Sequence, residues 1–388
     1  MADIVIVGGS IMGSSIAYHL ALAGTAADIC VIEPDPTYEF AAAPRSSGGV
    51  RLMHGLIENI EMSVYGQEFY RDFANRVDVD GQPGVFNFLE YGYLHLLSGA
   101  DEVAISEKNC ALQNKCGASN EMIDRDELGN RFPSMRTDDI DAALHGPQDG
   151  FVDPHAAVIG FRRKARSLGV KFVQDRVVGF ETNSKVVQKA ILESGNKIDG
   201  EAFVNVAGAW GPELSASIGL KFPVEPLSRS TFYVETREEL ETMPLTKDPS
   251  HVSFRQEGAG YTVGLTDVDV QGGFDWNVKH HLFDNIMWPA VAHRVPKLES
   301  LKVMRSWAGH YAYNRMDGNT IIGNWSGGLE NYYFATGFSG AGLQKGPAIG
   351  RAMKELLLDG GYQTIDLSRM SYQRVLNNKP LLEEGFSA

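Results

Sequence analysis

The chain has 388 residues, 43% hydrophobic and 22% charged, an ordinary globular composition with room for two structural units. A formal charge of -14 argues against a phosphate backbone or an anionic membrane as the main partner, since both would be repelled at long range, and favours a small-molecule ligand. No run reaches the roughly 20 apolar residues of a membrane helix, and no positively charged leader precedes the first apolar run, so an untargeted, soluble protein is expected.

Residues 3–7 read as a buried parallel strand, 8–13 as a glycine turn, 14–23 as a helix closed by Gly24, and 29–32 as a second strand. Together they form one βαβ unit. Residues 81–144 are mixed in pattern. A basic helix is predicted at 156–168, with strands within 170–180 and at 202–206. Residues 222–301 are again mixed, with aromatic strands at 232–235 and 261–265, and a helix at 343–358 returns to the first unit. No linker or repeat separates these stretches. The pattern predicts an α/β, Rossmann-like nucleotide-binding domain from 1–80, 145–221 and 301–388. Interleaved with it is a smaller α+β domain with a mixed or antiparallel sheet, from 81–144 and 222–300. The three cysteines, Cys30, Cys110 and Cys116, sit at no metal-ligand spacing and cannot all pair in one chain. A reducing cytoplasm is the expected compartment, and no metal is expected.

Gly8-Gly9-Ser10-Ile11-Met12-Gly13 lies between strand and helix, where backbone N–H groups and the helix N-terminus can hold a pyrophosphate. Glu33 follows Gly13 by 20 residues at the end of the second strand. A carboxylate there accepts hydrogen bonds from ribose hydroxyls and repels a 2′-phosphate, which disfavours NADP. Ser10 stands where the fingerprint has its second glycine. This unit does not decide between NAD and FAD.

Four further segments bear on that choice: Arg45-Ser46-Ser47-Gly48-Gly49-Val50-Arg51, Gly150-Phe151-Val152-Asp153-Pro154, Asn205-Val206-Ala207-Gly208-Ala209-Trp210, and Gly337-Phe338-Ser339-Gly340-Ala341-Gly342-Leu343-Gln344. In order and over nearly the whole chain, they resemble the D-amino-acid oxidase superfamily, within it the sarcosine oxidase and glycine oxidase group. The resemblance implies FAD. It places Ser46, Ser47, Gly48 and Gly49 along the pyrophosphate and flavin, Ala207, Gly208 and Trp210 at a second contact, and Val177 at the adenine. Gly340, Ala341, Gly342, Leu343 and Gln344 fall beside the flavin. The last loop has a physical reading of its own: its N–H groups can stabilise the charge of a reduced flavin. Residues 305–314, with Gly309, resemble a segment of FAD-dependent oxidoreductase domain proteins tied to respiratory-complex assembly. The stretch lacks the cysteine that tethers flavin in monomeric sarcosine oxidase, so FAD is expected to bind noncovalently.

In this family an amine or amino acid gives hydride to flavin N5, and the resulting imine hydrolyses. The resemblance therefore implies an FAD-dependent oxidase or dehydrogenase of a secondary amine or amino acid, such as sarcosine, glycine or an imino-diacid. Oxygen or an electron carrier would serve as acceptor. Substrate carboxylates are usually held by an arginine fork, and Arg51, Arg255 and Arg305 are the candidates, Arg51 first because it matches the family arginine over the flavin. The two carboxylate-gripping positions of sarcosine oxidase fall at His54 and Gln344. Tyr261 and Tyr311 offer hydroxyls, and His310 or His54 can sense substrate charge. Thr262 replaces the lysine that aids reaction with oxygen, which counts against fast oxidase activity unless Lys345 or Arg51 substitutes. Two alternatives remain open: a 2-hydroxy acid dehydrogenase using His54 or His310 as base, and a noncatalytic flavoprotein assembly factor.

Overall fold

The structure, a computed structural model, describes residues 2–25, 28–325 and 327–385. Its first eight-stranded sheet carries the N-terminal unit. Ala2–Val7 lies between Lys197–Asn205 and Ile29–Ile32 in parallel, with Lys171–Val173 beyond and Tyr332–Thr336 on the other side of Lys197–Asn205. Ile29–Ile32 is buried at every position, as a parallel strand covered on both faces must be. Val177–Thr182 and Val187–Leu192 extend the sheet as an antiparallel flap.

The first helix runs Ile11–Leu20, three residues earlier than expected. It ends in a wider turn over Ala21–Thr25, where Gly24 takes φ 91° and stops it. The helix packs on Gly342–Leu358 at close range: a Cβ on Gly350 would sit 2.2 Å from Ser15 Oγ. Around these helices Ile16, Phe69, Phe73, Phe161 and Met353 form the first core, each fully buried side chain contributing about 1.5–3 kcal/mol.

The second eight-stranded sheet is mostly antiparallel, in the order Lys302–Asn314, Val224–Glu235, Gly260–Leu265, Val252–Glu257, Leu245–Lys247, Tyr93–Leu97, Ala142–Gly146, Glu121–Asp124. Its far face covers a second core that includes Phe232, Phe254, Phe283 and Val295. One strand departs from the predicted division. Lys302–Asn314 falls in the stretch assigned to the nucleotide domain, yet it pairs with Val224–Glu235 over its whole length, from Asn314 opposite Val224 to Lys302 opposite Glu235. A strand this long needs a partner of matching length, and Val224–Glu235 supplies it. The boundary at 301 therefore moves past Asn314, and this strand carries residues of the second sheet to the edge of the first.

Among the described residues no helix is long and apolar enough to cross a membrane.

Candidate active site

A cavity of about 760 Å³ opens at the carboxyl ends of the first sheet's parallel strands, where open α/β sheets bind ligands. Gly8, Ser10, Ile11 and Met12 line it, together with Glu33 and Val177. Gly8 takes φ 96°, and a Cβ there would meet the Val206 carbonyl at 2.7 Å, so only glycine leaves this wall open. Gly13 does not line the cavity. A Cβ on it would lie 1.8 Å from the Gly8 carbonyl, so its part is to let the helix close on the turn.

Ser10 caps the helix by position only: its side chain makes no capping bond, and its Oγ is buried without a partner. The N–H groups of the first turn are left for a ligand. Glu33 Oε2 accepts from the Gly9 N–H at 2.7 Å and Oε1 from the Asp35 N–H at 3.0 Å, which fixes the carboxylate at the strand end with acceptor capacity to spare. Burial pushes its pKa up, and these two hydrogen bonds oppose the rise. An orphaned hydroxyl, an uncapped helix N-terminus, a glycine cradle and a held carboxylate fit the pyrophosphate and ribose of FAD.

Ser46, Ala207, Gly208, Trp210, His310, Tyr311, Gly340, Gly342 and Leu343 also line it. Here a second helix N-terminus faces the cavity. Ala341 precedes Gly342–Leu358 with no side-chain cap, and Gly340, at φ 93°, lets the loop pass where a Cβ would lie 2.9 Å from the Tyr311 ring. Ala341 itself lines nothing. Gly48, which also stays outside, takes φ 76° to cross over the strand Gly150–Val152, where a Cβ would meet the Val152 carbonyl at 2.2 Å.

A second cavity of about 140 Å³ adjoins the first, sharing Ser46, His310, Tyr311, Gly340 and Leu343. The second sheet forms its walls. Ser47, Gly49, Arg51, Arg255, Gly309 and Gln344 line it. The Arg51 guanidinium lies 5.7 Å from the Tyr93 ring centre, with Nε donating to the Met53 carbonyl at 3.4 Å. Arg255 reaches the cavity, but its guanidinium is engaged. It pairs with Glu257 at 2.5 Å, donates to the Ser47 and Gln256 carbonyls at 2.5 and 2.8 Å, and lies 4.2 Å from the Phe151 ring centre. It holds the Ser47 loop rather than waiting for a substrate.

Several expected residues lie elsewhere. Tyr261 is 6% exposed and packs in the second core against residues such as Phe254. Neighbours on a strand point to opposite faces, and it is Thr262 that faces the cavity, with a buried Oγ1 that has no partner. Arg305 is exposed on the far half of its strand. His54 is 2% exposed and lines neither cavity; its Nε2 lies 2.7 Å from Gln344 Nε2. Lys345 turns away too, donating to Asn59 Oδ1 at 2.8 Å, and burial pulls its pKa down to about 8.

Two cations in the second cavity were not picked out from the sequence, Arg229 and Lys247. Arg229 stands opposite Gly309 in the sheet, 9% exposed, with its guanidinium carbon 5.2 Å from the Tyr311 ring centre. Its Nη1 donates to the carbonyls of Leu265, at 3.3 Å, and of Asp267. Nε and Nη2 are buried with no partner. His310 is similarly half engaged: Nε2 accepts the Asp275 N–H at 2.9 Å, and Nδ1 has no partner. Because Nε2 accepts, the neutral ring carries its proton on Nδ1, and burial keeps the ring neutral by lowering its pKa.

A parallel sheet with a dinucleotide cradle at its carboxyl edge, opening into a small cationic chamber under a second sheet, defines a flavin-type oxidoreductase. The chain belongs to the DAO family of FAD dependent oxidoreductases, whose model matches residues 3–356. It is 36% identical over 424 aligned positions to FAD-dependent oxidoreductase domain-containing protein 1 of Xenopus laevis, covering 99% of this chain and 84% of that protein. L-proline dehydrogenase from P. horikoshii superposes with a TM-score of 0.88 at 25% identity, over 98% and 99% of the two chains. Glycine oxidase from Geobacillus kaustophilus shares the fold, with a TM-score of 0.83 at 19% identity over 95% and 97%. The protein is an FAD-dependent oxidoreductase.

Proposed function

We propose that the enzyme oxidises the C–N bond of a small amino acid or secondary amine bound in the second cavity. The observation that carries this reading is the open side of Arg229. Nε–H and Nη2–H point the same way from one plane and match the two oxygens of a carboxylate. Leaving both buried and unpaired costs stability unless an anion fills the site. The Tyr311 ring fixes the plane of the fork.

Bound FAD supplies a two-electron acceptor for hydride from the substrate carbon. The chain's own part is to orient and to select a protonation state. Arg229 fixes the carboxylate, while Thr262 Oγ1 and His310 Nδ1–H offer hydrogen bonds. Arg51, Arg229 and Lys247 line a cavity without a carboxylate side chain among the described residues. That field disfavours an ammonium and favours the neutral amine, whose lone pair drives hydride out. A 2-hydroxy acid would instead need a base, and the unpartnered nitrogen of His310 carries a proton, which weighs against that alternative.

No cysteine lines either cavity among the described residues, which supports noncovalent FAD. Thr262 offers no charge to oxygen, but Arg51 and Lys247 bring positive charge to the same cavity. That charge suits oxygen as acceptor as well as an electron carrier, and the rate of reoxidation in air separates them. Anaerobic mixing of the FAD-loaded enzyme with sarcosine, glycine, proline and iminodiacetate, and with lactate, tests the reaction. Bleaching of the flavin band by an amine supports the reading; bleaching by lactate alone overturns it.

A further inference from the structure

We infer that Asp149 is a positioning residue for Arg51: from the turn that joins the two sheets it takes the Leu52 N–H, and so aims the Arg51 side chain into the second cavity. What this does for catalysis rests on the amine oxidation proposed above; where Arg51 points does not.

Gly49–Val50 pairs with the strand Gly150–Val152, Gly49 opposite Phe151 and Val50 opposite Gly150, and the ladder stops there. Arg51 therefore opens an irregular stretch in which Leu52, Met53 and His54 are all buried. Buried backbone off a ladder needs other partners, and side chains supply them. Gln344 Oε1 accepts the Arg51 N–H at 3.1 Å, and Asp149 accepts the Leu52 N–H with Oδ1 at 3.2 Å and Oδ2 at 3.1 Å. The peptide planes on either side of the Arg51 Cα are thus held from two directions, by the helix Gly342–Leu358 and by the turn before Gly150. Two fixed planes fix φ and ψ at Arg51, and with them the direction of its Cβ. The side chain's own contacts are longer: Nε donates to the Met53 carbonyl at 3.4 Å, and the guanidinium lies 5.7 Å from the Tyr93 ring centre.

Asp149 is itself built in. It has no exposed surface, its N–H donates to the Gly146 carbonyl at 3.1 Å, and its carbonyl accepts the Gly92 N–H at 2.9 Å. Gly146 ends the second-sheet strand Ala142–Gly146, where a Cβ would lie 2.4 Å from Asp149 Oδ2. Gln67, on the helix Ile57–Arg71, donates to Oδ1 at 3.0 Å. The Leu52 and Gln67 bonds are both accepted by the carboxyl group, which suits its ionised form. Burial raises its pKa to about 7, against these bonds and the charges of Arg51 and Arg71; the Tyr93 phenol also lies in its field. Below that pH the carboxyl carries a proton among donors, so the grip on Leu52 loosens in acid.

Asparagine at 149 keeps an oxygen for Leu52 and Gln67 and removes the charge; leucine keeps the volume and removes both bonds. The FAD-loaded wild type, Asp149→Asn and Asp149→Leu are crystallised, and reduction of their flavin by sarcosine, glycine, proline and iminodiacetate is followed anaerobically from pH 5.5 to 8.5. Arg51 should keep its place in Asp149→Asn and leave the second cavity in Asp149→Leu. At pH 8 the rate constant for reduction over KM should fall at least tenfold in Asp149→Leu and less than threefold in Asp149→Asn. In the wild type it should rise through a step near pH 7 that Asp149→Asn lacks, which destabilisation alone would not produce. Should Asp149→Leu fail to fold, wild-type crystals at pH 5.5 and 8.5 take its place, with Arg51 expected to shift only at the lower pH. An unmoved Arg51, no step near pH 7 in the wild type, or the same step in Asp149→Asn overturns the inference and leaves amine oxidation standing. No bleaching by any amine overturns amine oxidation, and the place of Arg51 in the crystals then decides the inference by itself.

Discussion

Gln344 joins the two halves of the active-site wall: its Nε2 lies 2.7 Å from His54 Nε2, and its Oε1 accepts the Arg51 N–H at 3.1 Å. Since Oε1 accepts, Nε2 must donate, so His54 accepts on Nε2 and carries its proton on Nδ1. Nδ1 faces Glu383 Oε1 at 3.5 Å, and Glu383 also takes the Gly55 N–H at 2.5 Å and the Asn59 amide at 2.9 Å. A chain of polar contacts thus runs from residue 383 to the loop of Arg51. The two positions matched to a carboxylate grip by resemblance are bonded to each other, and one of them to the backbone of Arg51.

Replacing Gln344 by leucine keeps the volume and strands both partners. His54 Nε2 and the Arg51 N–H would each be buried without a bond, at about 1–3 kcal/mol per group. Gln344→Leu should lower the urea midpoint accordingly and raise the Kd for FAD several-fold, since Ser46, in the same loop as Arg51, lines the first cavity. Unchanged values for both would remove Gln344 from this role.

Acid should unfold the protein earlier than its net charge suggests. Burial lowers His54 and His19 from 6.5 to about 4. Their folded pKa lies below the unfolded one, so their stabilising contribution is full above pH 6.5 and is lost as pH falls through about 4. Glu383 adds in the same direction at lower pH: its pKa falls from 4.5 to about 2, against the cost of burial, through its bond and charge interaction with His54. The unfolding midpoint should drop steadily from pH 7 to pH 4.5, by an amount on the order of a few kcal/mol in total. His54→Gln should flatten that slope, and a slope identical to wild type would remove His54 from the account.

What could be read from the sequence was what is local in the chain. Gly8 to Gly13 and Glu33 belong to a strand, turn and helix whose spacing fixes their geometry wherever they occur, and the structure brings Gly8, Ser10, Ile11, Met12 and Glu33 to one cavity, with Gly13 packed behind Gly8. Arg229 and Lys247 had no such signal. Each is one cation on a strand, and only sheet pairing, Arg229 opposite Gly309 and Lys247 opposite His95, brings them to one chamber. Tyr261 failed for a related reason: a one-residue error in strand phase exchanges core and cavity, and five consecutive apolar or small residues at 260–264 leave the phase undetermined. The strand Lys302–Asn314 was misassigned because its partner lies about 80 residues upstream, beyond any local pattern.

Gly13→Ala should abolish FAD retention although Gly13 itself lines neither cavity. The added methyl would lie 1.8 Å from the Gly8 carbonyl and 3.2 Å from Ile6, both backbone-anchored or buried, so the helix must move away from the turn that holds the pyrophosphate. Overpacking of this kind costs about 1–3 kcal/mol. Gly264→Ala serves as the control, having no atom within 4 Å of its Cβ position. Purification of both variants and measurement of the flavin-to-protein absorbance ratio checks the contrast; a full complement of flavin in Gly13→Ala would sink it.

Arg229→Lys separates charge from geometry at the proposed substrate grip. Lysine keeps the positive field that favours a neutral amine, but it offers a mobile point charge where the guanidinium offers two parallel N–H donors. One charge-assisted hydrogen bond is worth about 1.5–3 kcal/mol, so the rate constant for flavin reduction over KM should fall about 10- to 100-fold. Flavin content should persist, because Arg229 lines the second cavity and not the first. Most of the loss should appear in KM if the fork only binds, and in the limiting reduction rate if it also sets the angle of the C–H bond. Anaerobic stopped-flow reduction across substrate concentration distinguishes the two. A variant that reduces as fast as wild type at every concentration would show that the open fork of Arg229 faces something other than the substrate carboxylate.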